Sequence, residues 1–349
     1  MYEHEVYMHR CFQLALLGSG QVAPNPMVGA VLVYQDKIIG EGFHQRFGEA
    51  HAEVNCINNV LQQDHHLVKE STLYVSLEPC THFGKTPPCT DLIIKHEIKK
   101  VVIACTDPFS KVNGNGISKL KAAGIEVITE ILQTGAIILN KRFFTFHNFK
   151  RPYIILKWTQ SNNKKISEKN NRSYISNGYS NKLVHKWRSE EGAILIGTNT
   201  ALQDDPLLTN RLWTGKSPLR IIIDKQLKIP ITHNIYSDNE PLIIINYCKE
   251  EQNGNKQFLK ASPSKNILEL IMQILYERNI NSLIVEGGSI LLQSFIDSGL
   301  WDEARIITNT TLSIKNGIDA PVLRSGRLFE KLRLQNDEID FVSNDTIIN

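Results

Sequence analysis

The sequence predicts an α/β protein of two domains, and three observations support this prediction. The chain has 349 residues, which is too long for one typical hydrophobic core. Short β-rich runs alternate with apolar helical stretches in both halves, a pattern typical of a layered α/β sheet. A proline-containing segment at 148–153 separates the halves and leads into a new strand. We therefore expect domains at 1–147 and 148–349.

The first half shows the α/β alternation most clearly. Apolar residues at helical spacing alternate with short β-branched runs. In chain order they predict a helix at 6–17, strands at 29–34 and 37–43, a helix at 51–61, a strand at 72–77, a helix after Cys89, a strand at 100–105, a helix at 117–123, a strand at 125–128 and a closing helix at 133–148.

The second half continues in the same style without a sequence repeat, so we expect a different fold there. Strands are predicted at 153–157, 193–197, 219–224, 242–246 and 282–286, and helices at 267–276 and 289–298. Two polar stretches, 161–182 and 249–266, are interpreted as surface loops.

Composition restricts the class of protein. With 42% hydrophobic residues, 21% charged residues and a net charge of +3, the chain resembles an ordinary globular protein without a nucleic-acid-binding arm. The first ten residues lack the apolar core of a secretion signal, and the apolar runs are far too short to span a membrane. The six scattered cysteines are expected to be thiols in a reducing compartment. We therefore expect a cytoplasmic protein with neither nucleic-acid nor membrane partners.

A histidine and two cysteines predict a metal site in the first half. His51 lies two residues before Glu53, and Cys80 and Cys89 follow downstream. Zinc accepts such nitrogen and sulfur ligands, and its catalytic sites keep one position open for water. A nearby glutamate that is not a ligand can then move the proton, which is the arrangement of the zinc deaminases. Eight residues separate the cysteines, where the general deaminase signature has two.

A structural zinc site is the alternative reading, and it would need a fourth ligand such as Cys105 or His82.

The residues between the two zinc cysteines favour catalysis on a phosphorylated substrate. Lys85 lies in this insertion, and a cation there suits a nucleotide phosphate. Asn25, ahead of a strand, carries an amide able to read a pyrimidine edge.

The second half offers one motif that could bind a ligand, "LIVEGGSILLQSF" at 283–295. Here a strand ending in Glu286 leads through Gly287 and Gly288 into a helix, and a helix N-terminus after glycines attracts phosphate. A plain tight turn is the alternative. The absence of GxGxxG from the sequence argues against a Rossmann fold.

These motifs together resemble the RibD family of bifunctional riboflavin-biosynthesis enzymes. In the first half the resemblance rests on "PNPMVG", "GEGFHQRFGEAHAE" and "EPCTHFGKTPPC". It implies a three-layer domain similar to cytidine deaminases, with His51, Cys80 and Cys89 as zinc ligands and Glu53 as the proton donor. It also implies substrate contacts from a further set of residues, namely Asn25, His44, His82 and Lys85.

The second half resembles the reductase half of the same family through "LKWTQS", "HKWRSEEGAILIGTNTALQDDPLLTNR" and "VEGG". The resemblance implies a fold similar to dihydrofolate reductase and NADPH as the cofactor. Implied substrate contacts are Arg188, Leu208, Arg211 and Glu286. Implied cofactor contacts are Lys157, Thr159, Thr200, Asp204, Gly287, Gly288, Ser289 and Leu292. The family's Asp-Gly is replaced here by Asn163-Lys164, which puts the adjoining loop's contribution in doubt.

The resemblance implies deamination of a phosphorylated ribosylaminopyrimidine, followed by reduction of its ribosyl group to ribityl with NADPH. A homo-oligomer is also expected. Two other hypotheses remain: an RNA-editing deaminase with an appended binding domain, and a zinc nucleobase deaminase whose C-terminal half is a non-catalytic substrate-binding or oligomerisation domain.

Overall fold

The chain divides into two compact units, residues 1–150 and 151–349. A computed structural model describes residues 2–84, 87–109, 112–168 and 175–344. Across those ranges, the helices all fall short of the length and apolar character that a bilayer-spanning segment needs.

The first unit is a five-stranded sheet between two layers of helices. Its elements are α1 (Tyr2–Leu16), β1 (Gly29–Tyr34), β2 (Lys37–Phe43), α2 (Ala52–Asn58), a 3-10 helix (Gln62–Glu70), β3 (Thr72–Val75), α3 (Cys89–Lys95), β4 (Lys100–Ile103), α4 (Asn115–Ala122), β5 (Glu126–Ile128), α5 (Gln133–Leu139) and α6 (Lys141–Phe149). The strand order is β2-β1-β3-β4-β5. β1 runs antiparallel to β2 and β3, whereas β3, β4 and β5 are parallel.

Alternate residues of these strands enter two separate cores, because successive strand side chains point to opposite faces of a sheet. Leu32 and Leu73 pack against α2, α3 and α4 on one face. Val31 and Tyr74 pack against α1, α5 and α6 on the other. The predicted three-layer α/β architecture is therefore confirmed.

The second unit contains a ten-stranded sheet. Its elements are β6 (Tyr153–Ser161), β7 (Lys165–Glu168), α7 (Gly178–Glu190), β8 (Ala193–Gly197), α8 (Thr198–Asp204), β9 (Leu219–Ile223), a 3-10 helix (Asn234–Tyr236), β10 (Leu242–Asn246), β11 (Glu251–Asn253), β12 (Lys256–Lys260), α9 (Ile267–Glu277), β13 (Ser282–Glu286), α10 (Ser289–Asp297), β14 (Glu303–Asn309), β15 (Gly317–Asp319), β16 (Arg327–Leu334) and β17 (Asp337–Ser343).

The order of the large sheet is β11-β12-β10-β9-β8-β13-β6-β14-β17-β16, and β7 pairs separately with β15. The seven strands from β12 to β14 are parallel. Helices α9 and α10 cover one face, and α7 and α8 cover the other. Because the strands are parallel, the carboxyl ends of β6, β8 and β13 meet at one edge, where ligands bind in open α/β sheets.

Several element predictions were wrong. The stretch 249–266 is not a loop, because it contains β11 and β12 and the latter pairs in parallel with β10. The stretch 161–182 contains β7 and the beginning of α7. The single closing helix is instead two helices that meet at Asn140, whose side chain bonds both the N–H and the C=O of Met27.

Candidate active sites

The three predicted zinc ligands lie at the ends of regular elements in the first unit. His51 is the residue before α2 and has an extended backbone, and Cys89 is the first residue of α3. Cys80 follows β3 by five residues, and its carbonyl accepts a hydrogen bond from the Thr90 N–H at 3.2 Å. Two helix N-termini and one strand end thus bring the three side chains together.

The ligand atoms fit a zinc ion. Nδ1 of His51 lies 3.6 Å from Sγ of Cys80 and 3.3 Å from Sγ of Cys89. Bonds of about 2.0–2.3 Å to a tetrahedral ion place its ligand atoms roughly 3.3–3.8 Å apart. Among the described residues, the candidate metal-binding group consists of these three side chains and does not include Cys105 or His82. This arrangement favours a catalytic site over a closed structural one.

Hydrogen bonds within the cluster prepare Cys80 as a thiolate. The Cys89 thiol, the His51 ring and the Cys89 backbone N–H lower the pKa of Cys80 to about 4. The backbone N–H lies 3.3 Å from Sγ of Cys80. Because the thiolate is the form of cysteine that binds metal, the lowered pKa of Cys80 favours the binding of a cation.

Two glycines of β2 determine where α2 lies. A Cβ on Gly42 would be 2.2 Å from the backbone nitrogen of Cys56, and one on Gly40 would be 2.6 Å from its carbonyl oxygen. The helix backbone therefore rests directly on the strand. Any larger residue would push α2 outward and displace His51 and Glu53 with it.

Glu53 lies in the first turn of α2 and is 3% exposed. Burial raises the pKa of its carboxyl group above the ordinary value. A carboxyl group with a raised pKa holds a proton more readily near neutral pH, and this suits a group that accepts a proton and returns it.

Two of the predicted substrate contacts adjoin the zinc ligands. Nε2 of His44 lies 3.3 Å from Nδ2 of Asn25, and its Nδ1 lies 3.1 Å from the carbonyl oxygen of Ala50. The His44 ring meets the His51 ring edge to face, with centroids 5.3 Å apart. Burial lowers the pKa of His44, which favours a neutral ring.

His82 follows Cys80 in the insertion. Its buried Nδ1 lacks a hydrogen-bond partner among the residues that the structure describes. The His82 ring lies against Phe109, with centroids 5.7 Å apart. No pattern in the sequence pointed to Phe109, because this residue is distant from His82 along the chain and belongs to no motif. Lys85 lies outside the described residues.

In the second unit, Glu286 joins two of the predicted residues. Its carboxylate accepts hydrogen bonds from Arg188 at 2.9 and 2.8 Å and from Nζ of Lys157 at 3.4 Å. Burial opposes ionisation of Glu286, but Arg188 and Lys157 outweigh it and lower the pKa of Glu286 to about 2. The three side chains form a fixed polar cluster at the carboxyl end of β13, where Glu286 lies opposite Lys157 of β6.

The predicted phosphate-binding turn follows Glu286 directly. Gly288 precedes the first residue of α10, Ser289, and the Gly288 N–H donates to Oγ1 of Thr200 at 2.8 Å. A Cβ on Gly287 would be 3.1 Å from the Leu291 side chain. Thr200 therefore ties α8 to the N-terminus of α10.

Arg211 and Leu208 lie in the connection that follows α8. The Arg211 N–H donates to Nδ1 of His185 at 2.9 Å, and its Nη1 donates to Oγ1 of Thr209 at 2.9 Å. Burial and the nearby Arg188 and Arg211 lower the pKa of His185 to about 4, which keeps its ring neutral as an acceptor. Leu208 has a φ of 58° and is 2% exposed. Its side chain is in the core, so any ligand contact would involve its backbone.

The remaining cofactor candidates differ in accessibility. Thr159 is a partly buried residue of β6, and Asp204 is the last residue of α8. Leu292 is a residue of α10 whose side chain is fully buried in the hydrophobic core. The Leu292 side chain therefore supports the helix and is not available to a cofactor.

The departure at Asn163-Lys164 forms an ordered turn between β6 and β7. Lys164 has a φ of 57°, which is the left-handed conformation that a glycine adopts without strain. The Asn163 side chain bonds the C=O of Ile314 at 2.8 Å and its N–H at 3.1 Å, and the Lys164 carbonyl accepts from the Ala320 N–H at 2.9 Å. The turn is thus held in place despite the loss of glycine.

The two sites define a class of protein, a two-domain enzyme that joins a zinc-dependent deaminase to a reductase. Residues 1–105 match the family model for the cytidine and deoxycytidylate deaminase zinc-binding region, and residues 152–348 match the RibD C-terminal domain. The chain belongs to the RibD family of riboflavin biosynthesis proteins, whose members are bifunctional deaminase–reductases that use zinc and NADPH.

Relatives match nearly the whole chain. The riboflavin biosynthesis protein RibD of Aquifex aeolicus is 38% identical, covering 98% of this chain and 96% of that protein. The Escherichia coli RibD is 33% identical, with 86% of each chain covered. A solved structure of a diaminohydroxyphosphoribosylaminopyrimidine deaminase/5-amino-6-(5-phosphoribosylamino)uracil reductase from Thermotoga maritima has a TM-score of 0.88 at 34% identity, covering 98% of this chain and 99% of that one.

Proposed function

We propose that the first unit deaminates 2,5-diamino-6-ribosylamino-4(3H)-pyrimidinone 5′-phosphate and that the second reduces the ribosyl chain of the product to ribityl. The observation that carries this proposal is the zinc-fitting group of His51, Cys80 and Cys89 beside the buried Glu53. The proposal also agrees with the name printed for the Thermotoga relative.

In the deaminase, bound zinc would be held by His51, Cys80 and Cys89 and would make water acidic enough to act as a nucleophile near neutral pH. Glu53 accepts the proton of the attacking water and passes it to the amino group, which leaves as ammonia. Asn25 and His44 are proposed to orient the pyrimidine through their polar edges. Their mutual contact at 3.3 Å fixes both side chains. His82 would contribute its free Nδ1. Lys85 is predicted from the sequence to bind the phosphate.

In the reductase, bound NADPH would supply a hydride to C1′ of the sugar. We assign cofactor binding to Thr200, Gly287, Gly288 and Ser289, because the Thr200–Gly288 hydrogen bond fixes an N-terminus suited to a phosphate. Lys157, Thr159 and Asp204 complete this assignment, with Leu292 in a supporting role. Substrate binding is assigned to Arg188, Arg211 and Glu286, together with the Leu208 backbone.

One assay tests both activities on the intact chain. Ammonia release is followed with the diaminopyrimidine phosphate, and NADPH oxidation is followed with and without that substrate. We expect ammonia release without NADPH and substrate-dependent NADPH oxidation. Ammonia release without any NADPH oxidation would instead favour the non-catalytic C-terminal domain. The homo-oligomeric state and the cytoplasmic location stay predictions.

A further inference from the structure

Glu78 is a buried carboxylate to which the sequence motifs assign no role. It lies two residues before the zinc ligand Cys80 and is 4% exposed. Its two oxygens accept four backbone hydrogen bonds. The donors to Oε1 are the N–H groups of Gly116 at 2.8 Å and Ile117 at 3.1 Å, and the donors to Oε2 are those of Asp107 at 3.1 Å and Gly114 at 2.9 Å. The Glu78 carboxylate thus accepts hydrogen bonds from four backbone N–H groups that lie far from it along the chain.

These hydrogen bonds fasten both ends of the segment between β4 and α4 to the connection that carries Cys80. At the β4 end, the backbone N–H of Glu78 donates to the carbonyl of Cys105 at 3.0 Å. At the α4 end, a Cβ on Gly116 would lie 2.3 Å from the carbonyl oxygen of Pro79. The two backbones are therefore in direct contact.

The segment held by Glu78 includes Phe109, whose aromatic side chain lies against His82 of the deaminase unit. The Asp107 N–H donates to Glu78, and the Asp107 carboxylate in turn accepts from the Phe109 N–H at 2.7 Å. The Phe109 ring then lies 5.7 Å from the ring of His82 and 5.0 Å from the ring of His147. A continuous series of hydrogen bonds thus leads from Glu78 to a ring beside a proposed substrate contact.

We propose that Glu78 is a positioning residue of the deaminase, which holds Phe109 as one wall of the pyrimidine pocket beside His82. This inference rests on the proposed deaminase function. An ionised carboxylate suits the role because it offers two acceptor oxygens and no donor. In Glu78→Gln, the amide nitrogen would replace one oxygen and face two N–H donors, so two backbone hydrogen bonds would be lost.

Glu78 could instead stabilise only the N-terminus of α4, and the kinetics separate the two roles. Because Glu78 acts on the pocket wall and not on Glu53, we expect Glu78→Gln to retain zinc. Its KM for the diaminopyrimidine phosphate should rise about tenfold to a hundredfold, with kcat changed by less than about threefold. The conservative variant Glu78→Asp should recover part of the loss.

Ser71→Ala is the matched control for stability. Ser71 is a buried residue that donates to the carbonyl of Leu67 at 2.8 Å, and it precedes the other end of β3. This variant should lower the melting temperature and leave KM unchanged. A Glu78→Gln protein with the same pattern, or with lost zinc or a lowered kcat at unchanged KM, would overturn the proposal.

A double-mutant cycle tests whether Glu78 acts through Phe109. Phe109→Ala should raise KM by itself, and adding Glu78→Gln should raise it little further, because the first change already removes the wall. If the effects of the two substitutions on KM are fully additive in free energy, the proposal is contradicted. If Glu78→Gln does not fold, Glu78→Asp takes its place, and a wild-type KM in Phe109→Ala alone overturns the inference. Ammonia release by the wild-type chain shows separately whether the proposed deaminase function holds.

Discussion

Arg188 donates two hydrogen bonds to the carboxylate of Glu286, from Nε to Oε1 at 2.9 Å and from Nη2 to Oε2 at 2.8 Å. The two side chains are only 12% and 10% exposed, so the pair is largely removed from water. Such a pair fixes the direction of both side chains at the carboxyl edge of the sheet. Because protonation of Glu286 would break this ion pair, we expect the folded second unit to lose stability in acid.

The first prediction concerns this acid sensitivity. The folded-state pKa of Glu286 is lowered to about 2, because Arg188 and Lys157 outweigh its burial. The stabilisation is therefore complete above the ordinary glutamate pKa and is lost as pH falls from about 4.5 to 2, by roughly 3 kcal/mol. Urea unfolding of the intact chain at several pH values measures it. Glu286→Gln should lose this part of the pH dependence and be less stable at pH 7, by about 3–5 kcal/mol. An unchanged pH profile in that variant would refute the assignment.

The second prediction concerns the metal. Cys80→Ser and His51→Ala should each lose zinc and abolish ammonia release, because each removes one of three protein ligands. NADPH-dependent reduction of supplied deaminated intermediate should survive, because all three ligands lie in the first unit. Cys105→Ser is the control, since this thiol is buried but outside the ligand group. Loss of both activities in a folded variant would contradict independent domains.

The third prediction separates proton transfer from metal binding. Glu53→Gln keeps the size of the side chain but removes the base, so zinc content should stay near that of the wild type. Ammonia release should fall about 10²–10⁴-fold. Glu49→Gln alters an exposed glutamate just before the same helix, which forms an ion pair with Arg46 at 3.8 Å, and should be fully active. A metal-free or fully active Glu53→Gln protein would exclude the assigned role.

The fourth prediction addresses Lys164. Its φ of 57° imposes a strain of roughly 1–2 kcal/mol on a residue with a Cβ. Lys164→Gly should therefore raise the melting temperature and leave the KM for NADPH unchanged or lower. Gln335→Gly is the matched control, because Gln335 has the same φ of 57° in the turn between β16 and β17. A higher KM for NADPH in Lys164→Gly alone would instead identify Lys164 as a phosphate ligand.

Local pattern in the sequence was sufficient for much of the fold and the metal site. The buried runs at β8, β10 and β13 were predicted as strands, because apolar β-branched stretches between polar turns have few alternatives. The three candidate zinc ligands could be singled out because zinc restricts its ligands to a few residue types, and the structure brings their side chains together. Strands β11 and β12 were missed because their polar sequence gains strand structure by pairing with neighbours, β12 with β10 and β11 with β12.

The sequence by itself therefore predicted the α/β class and a candidate zinc site of His51, Cys80 and Cys89 with Glu53 nearby, because these predictions depend on residue type and on patterns along the chain. Only the tertiary structure brought Glu78 to the backbone N–H groups of Asp107, Gly114, Gly116 and Ile117. It also placed Arg188 against Glu286, 98 residues further along the chain. Those pairs depend on which backbone segments meet in space. At Glu78, the close approach of Gly116 to the carbonyl oxygen of Pro79 allows the two segments to meet, and no local pattern encodes that contact.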